Sequence, residues 1–111
     1  MVELPEHPTM QDFQRYVYEM EAHHGWLDAD LVHNCFLMGE EVGELFKAVR
    51  QHNKLFLEHP APTDAETIAD IGDEIVDVFN YLAAIANRLD IDLEAAFRKK
   101  NGRNMTRTWN T

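Results

Sequence analysis

The sequence predicts an all-α protein, and three observations carry that expectation. Four segments repeat apolar residues at helical spacing, each is preceded by a Thr or Asp suited to capping a helix, and no segment alternates apolar and polar residues as a strand would. With 111 residues, the chain is long enough for a single core, yet within the range where a second subunit is often recruited to complete it. The expected architecture is one domain over residues 1–111, a four-helix-type bundle completed by oligomerisation.

The first helix is expected over about residues 10–24. Thr9 is its N-cap, Asp12 stands three residues on, and Gly25 is a suitable stop. Phe13, Tyr16, Val17 and Met20 share one face and should form its buried stripe. The second, over about 30–51, has Asp28 or Asp30 as its cap and an apolar series from Leu31 through Cys35, Met38, Val42, Leu45 and Phe46 to Val49. Gly39 and Gly43 lie four apart on one face, which suits either close approach of another helix or ligand, or mere tolerance. Two prolines then interrupt HNKLFLEHPAP, read as a loop with a short helical turn around residues 55–57. Thr63 and Glu66 form a capping box for the third helix, about 64–89. Its apolar positions, Ile68, Ile71, Ile75, Val78, Phe79, Leu82, Ile85, Ala86 and Leu89, make a stripe too wide for a surface helix, so it should be the central one. Asp90 or Asp92 caps the fourth, about 92–102, with Leu93, Ala96 and Phe97 inward and Gly102 near its end.

A net charge of -10 argues against a surface for nucleic-acid polymers, because phosphate contacts need a basic face. The charge is unevenly spread. No Lys or Arg occurs between Leu55 and Asn87, whereas Arg98, Lys99, Lys100, Arg103 and Arg107 form a basic end without an acidic residue among them. Cys35 is the one cysteine, so no intramolecular disulfide can form; its flanks, Asn34 and Phe36, suggest a plain helical position, and the burial habit of free Cys suggests a structural role. The amino terminus lacks the pattern of a secretory signal, and no apolar run approaches the roughly 18 residues of a membrane span. A cytoplasmic location without membrane contact is the expectation.

Chemistry concentrates in two acidic clusters, Glu40, Glu41 and Glu44 in GEEVGEL and Glu74 and Asp77 in DEIVD. Residues three and four apart share a helix face, so each cluster presents paired carboxylates. Two such charges about 4 Å apart repel by roughly 4 kcal/mol at an effective dielectric of 20, a cost that a divalent cation would remove. An all-oxygen set suits Mg²⁺ or Mn²⁺. The bland alternative is a pair of solvated acidic faces; against it, both clusters interleave with apolar positions, and of the nearby cations only Lys47 is spaced to serve Glu44. A di-iron centre would need two Glu-x-x-His motifs, and only Glu21 with His24 fits that spacing. His23, His24 and His33 match no standard zinc spacing.

GEEVGEL followed by DEIVD resembles the EExxE and ExxD signature of the MazG-like all-α nucleoside triphosphate pyrophosphohydrolases. The stretch between Glu44 and Glu74 slightly exceeds that signature's usual gap, which reads as a modest loop insertion. FQRYVYEMEAHHGW and YLAAIANRLDIDL are similar to the family's first helix and third-helix end, so the likeness covers roughly residues 10 to 109. The resemblance implies Mg²⁺-dependent hydrolysis of a nucleoside triphosphate, expected to be a dNTP, to the monophosphate and pyrophosphate, in nucleotide-pool control or house-cleaning. It implies Glu41, Glu44, Glu74 and Asp77 as metal ligands, with Mn²⁺ as substitute, and Glu40 as the base that deprotonates water. Lys100, Asn104 and Arg107 would bind the phosphates, Trp26 would stack on the base, and the chain would assemble as a dimer or tetramer. Two other readings stay open: a phosphoribosyl-ATP pyrophosphohydrolase with similar acidic helices, or a non-catalytic helical interaction module stabilised by metal.

Overall fold

The computed structural model describes residues 2–55, 57 and 61–108. Its four helices, α1 (Met10–His24), α2 (Leu31–His52), α3 (Asp64–Arg88) and α4 (Leu93–Thr106), make an all-α protein, with no strand among the described residues. Each helix starts where a side-chain oxygen meets the first free backbone N–H groups. Thr9 and Asp12 form a reciprocal capping box, in which Thr9 Oγ1 accepts from the Asp12 amide and Asp12 Oδ2 from the Thr9 amide. These bonds, the Thr9 amide foremost, hold the Asp12 carboxyl below its ordinary range. Asp30, rather than Asp28, caps α2 through the His33 amide, and Asp92, rather than Asp90, caps α4 through the Ala95 amide. Thr63 Oγ1 accepts from the Glu66 amide, while the Glu66 carboxylate turns to the Thr63 hydroxyl.

Gly25 closes α1 in the left-handed region, at φ 75°, a conformation that costs Gly little. Helix α4 runs four residues past its expected end at 102. Gly102 lies inside the helix, because a single glycine weakens but does not stop a helix that meets no proline. The short helical turn expected around residues 55–57 falls partly outside the described residues.

The chain divides into two compact units, residues 1–28 with 83–111, and residues 29–82. In the first, α1 packs on α4, with the C-terminal part of α3 completing the unit. Val17, Ala83, Ala84 and Ala86 are buried there, together with Gln14 and Glu21. The apolar stripe expected on α1 is half right: Val17 is buried, but Phe13, Tyr16 and Met20 are only half-buried. Beside Val17, the buried places on α1 belong to Gln14 and Glu21, polar groups that tie segments together. Gln14 Nε2 donates to the Ile91 carbonyl at 2.8 Å and to Asn87 Oδ1 at 3.1 Å, and Gln14 Oε1 accepts from the Leu93 amide at 2.9 Å. Asn87 Nδ2 returns a bond to the Gln14 carbonyl. One turn along α1 from Val17, Glu21 receives both terminal nitrogens of Arg88, at 3.2 and 2.7 Å. That bidentate pair also removes Glu21 from any Glu-x-x-His metal site.

The second unit consists of α2 and the α3 segment up to Leu82. Its buried residues are Asn34, Ala48 and Thr67. Asn34 Nδ2 bonds the Ala29 and Asp30 carbonyls, and Thr67 Oγ1 meets His52 Nδ1 at 2.9 Å. The apolar stripe expected on α3 is covered in part: Ala86 is buried and Ile71, Val78, Phe79 and Ile85 are half-buried. Ile68, Ile75 and Leu82, with Leu89 just past the helix end, are spaced by sevens and remain 46–59% exposed, and the buried positions of α3 are Thr67, Ala83, Ala84 and Ala86. A stripe this wide exceeds what one neighbouring helix can cover. Cys35 is exposed instead of buried, and Phe97 and Ala96 of α4 face outward, leaving only Leu93 half-buried. Apart from the adjoining residues and the backbone of α2 itself, no described atom lies within 4 Å of where a Cβ would stand at Gly39 or Gly43, so nothing in the described chain requires glycine there.

The Glu21–Arg88 pair gives a sharp test, since its side chains are only 6% and 15% exposed. Replacing Glu21 by Ala leaves the Arg88 charge without its partner and is expected to lower stability by about 3–5 kcal/mol. Chemical denaturation of the variant beside wild type measures it.

Candidate metal centre

The second unit brings the two acidic clusters together. Helical spacing puts Glu41 on the same side of α2 as buried Ala48, and Glu74 and Asp77 are successive-turn neighbours on α3. One carboxylate oxygen from each of Glu41, Glu74 and Asp77 lies within 4.8 Å of the other two. The Glu74 carboxyl is held above its ordinary range, chiefly by burial, then by hydrogen bonding with Glu41 and by the charges of Glu41, Asp77 and Glu44. Its Oε2 is buried with no hydrogen-bond partner among the described residues. A buried acceptor without a donor is costly, and a cation is the partner that three converging carboxylates can share. The all-oxygen donor set fits a hard divalent ion such as Mg²⁺ or Mn²⁺.

Glu44 is exposed and stands outside this group of three, yet it contributes to the field at Glu74. It also lines a cleft of about 200 Å³ with Glu74, Lys47, Ala48, Gln51, Asp70 and Asp73. Glu40 is exposed on α2 and is not among the converging ligands. Lys100 is exposed on α4; Asn104 is half-buried and donates to Asn101 Oδ1 at 3.1 Å. Arg107 is exposed just beyond the helix, and all three belong to the first unit. So does Trp26, which is 53% exposed, its ring stacked on His24 at a centroid distance of 4.3 Å. Asp70, Asp73 and Gln51, which line the cleft, were not among the expected site residues. Their signal is the same helical spacing, with Asp70 four residues before Glu74, Asp73 four before Asp77, and Gln51 four beyond Lys47.

Fold and site together define an all-α protein with carboxylates converging from two helices on a candidate divalent-cation centre. Residues 10–104 match the model of the family described as phosphoribosyl-ATP pyrophosphohydrolase, and the chain belongs to that family. This narrows the MazG-like resemblance, of which it is an all-α relative, to a family of pyrophosphohydrolases. No individual curated protein matches the chain. No helix among the described residues is long and apolar enough to cross a membrane.

Because folding raises the Glu74 value, its contribution to stability is present below the ordinary Glu range and is lost as pH rises through the raised value. In divalent-free buffer at neutral pH, Glu74→Gln is therefore expected to melt at a higher temperature than wild type. Added Mg²⁺ or Mn²⁺ should raise the melting temperature of wild type more than that of the variant. Thermal melts across pH, with and without the ion, measure both effects.

Proposed function

We propose that the chain hydrolyses the α–β anhydride of a nucleoside 5′-triphosphate, best a dNTP, releasing the monophosphate and pyrophosphate. The observation that carries this reading is the convergence of Glu41, Glu74 and Asp77 around an unpartnered Glu74 oxygen. Membership of a pyrophosphohydrolase family supports it. Glu41, Glu74 and Asp77, with Glu44 beside them, would hold Mg²⁺ or Mn²⁺. When bound, the ion polarises phosphate oxygens and lowers the pKa of a water. Glu40 accepts the proton of the attacking water as its oxygen bonds to the α-phosphorus. The bond from that phosphorus to the bridging oxygen breaks, and its electron pair leaves with pyrophosphate. Lys100, Asn104 and Arg107 contribute positive charge and donors for the β- and γ-phosphates, and Trp26 offers its free ring face to the base. Pool control or house-cleaning in the cytoplasm is the matching role.

Phosphoribosyl-ATP is the second substrate reading, favoured by the family's own description. It carries the same triphosphate, so the carboxylates serve either. A pyrophosphate-release screen over canonical and modified NTPs, dNTPs and phosphoribosyl-ATP, with Mg²⁺ and Mn²⁺, separates them. Activity is expected with at least one; none with any would favour a non-catalytic, metal-stabilised module. Glu41→Gln and Asp77→Asn should each lose activity by about 100-fold or more, whereas Glu40→Gln should lower the rate constant and spare metal binding.

The chain is also proposed to self-associate as a dimer or tetramer. Val32, Phe36 and Phe46 on α2 are 60–74% exposed, on the helix face that carries Gly39 and Gly43. The exposed series of Ile68, Ile75 and Leu82 on α3 has the seven-residue period by which helices pair. Burying each such side chain contributes about 1.5–3 kcal/mol. Light scattering should report a multiple of 12.9 kDa, and Phe36→Asp with Leu82→Glu should shift it toward the monomer.

A further inference from the structure

Beyond the metal ligands, the α2–α3 unit contains an unused cation. Its Lys and Arg residues are Lys47, Arg50 and Lys54. Arg50 donates to the Leu55 carbonyl at 2.7 Å, and Lys54 pairs with Asp64 at 3.3 Å. Lys47 has no ion pair or hydrogen bond among the described residues, although it lines the cleft with Glu44, Asp70, Asp73 and Glu74. The sequence spacing suggests a bond to Glu44, and none forms. An ammonium that stays more than 4 Å from four neighbouring carboxylates is poorly placed to be their counter-ion. It remains available for an anion entering the cleft.

We infer that Lys47 is a phosphate-binding residue of the proposed reaction, contacting the pyrophosphate end of the substrate one turn of α2 beyond Glu44. The inference rests on the pyrophosphohydrolase reading. A metal-bound triphosphate brings negative charge into a cleft that is otherwise acidic. Among the described residues Lys47 is the one Lys or Arg lining that cleft, so it favours the phosphate chain there over its departure toward solvent. Its position three residues from Glu44 on a rigid helix ties the distance between cation and metal ligand to helical geometry. Because the contact is made to phosphates in both bound substrate and transition state, it governs binding more than the rate of the chemical step.

The test compares wild type with Lys47→Met and Lys47→Arg, using the best substrate from the pyrophosphate-release screen and inorganic pyrophosphate as inhibitor. Lys47→Met is expected to raise KM and weaken pyrophosphate inhibition by about tenfold each, with kcat within about twofold of wild type. Lys47→Arg should restore most of both. Mn²⁺ affinity without nucleotide should be equal or tighter in Lys47→Met, since a positive charge has left the neighbourhood of the carboxylates. An active wild type with unchanged KM and pyrophosphate inhibition in Lys47→Met overturns the assignment of Lys47 alone. A shift in melting temperature or Mn²⁺ affinity without a change in KM does the same, as a structural role. No pyrophosphate release by wild type overturns this inference together with the function on which it rests.

Discussion

The constraint on which the α2–α3 unit turns is electrostatic. Glu41, Glu74 and Asp77 offer oxygens within 4.8 Å of one another, and one Glu74 oxygen is buried without a donor. Like charges at such range repel by several kcal/mol at protein dielectrics. The protein alone relieves that repulsion by making Glu74 easier to protonate, so stability and readiness for a cation are coupled in a single side chain. The proposed divalent ion would remove that repulsion.

The other unit solves a different problem. It has few large buried side chains, and polar groups span its segments instead. Gln14 reaches Asn87, Ile91 and Leu93, so one amide aligns α1, the end of α3 and the start of α4. Glu21 and Arg88 fix the next turns, and Arg88 reaches the Trp26 carbonyl as well. Such groups gain modest net energy when satisfied but impose a large penalty when broken. They therefore specify the register of helices that small apolar residues alone would leave loosely defined.

Both units leave large apolar side chains in contact with water, from Phe36 and Phe46 on α2 to Phe97 and Met105 on α4. Scattered exposure is ordinary for a folded protein. A periodic exposed stripe along a 25-residue helix is not, and it has the spacing with which helices pair. The sequence stripe on α3 was too wide for a surface helix, and a single chain does not cover it.

The helices, their caps and the carboxylate clusters were legible in the sequence because they depend on local chemistry. Thr9 with Asp12, Asp30, Thr63 and Asp92 each act within three residues of themselves, and the pairing of Glu74 with Asp77 follows from helical periodicity. Burial was not legible in this way. Phe13, Cys35, Ile68 and Phe97 have apolar spacing suited to a core, yet Gln14, Glu21, Asn34 and Thr67 lie deeper. The difference arises because burial is decided by what the opposing element offers: a hydrogen-bond partner far along the chain can hold a polar group inside. The tertiary structure alone decided that Glu44 stands outside the group formed by Glu41, Glu74 and Asp77, and that Lys47 borders their cleft without pairing to it. Each outcome depends on how α2 faces α3, and periodicity along one helix carries no information about the rotation of its neighbour.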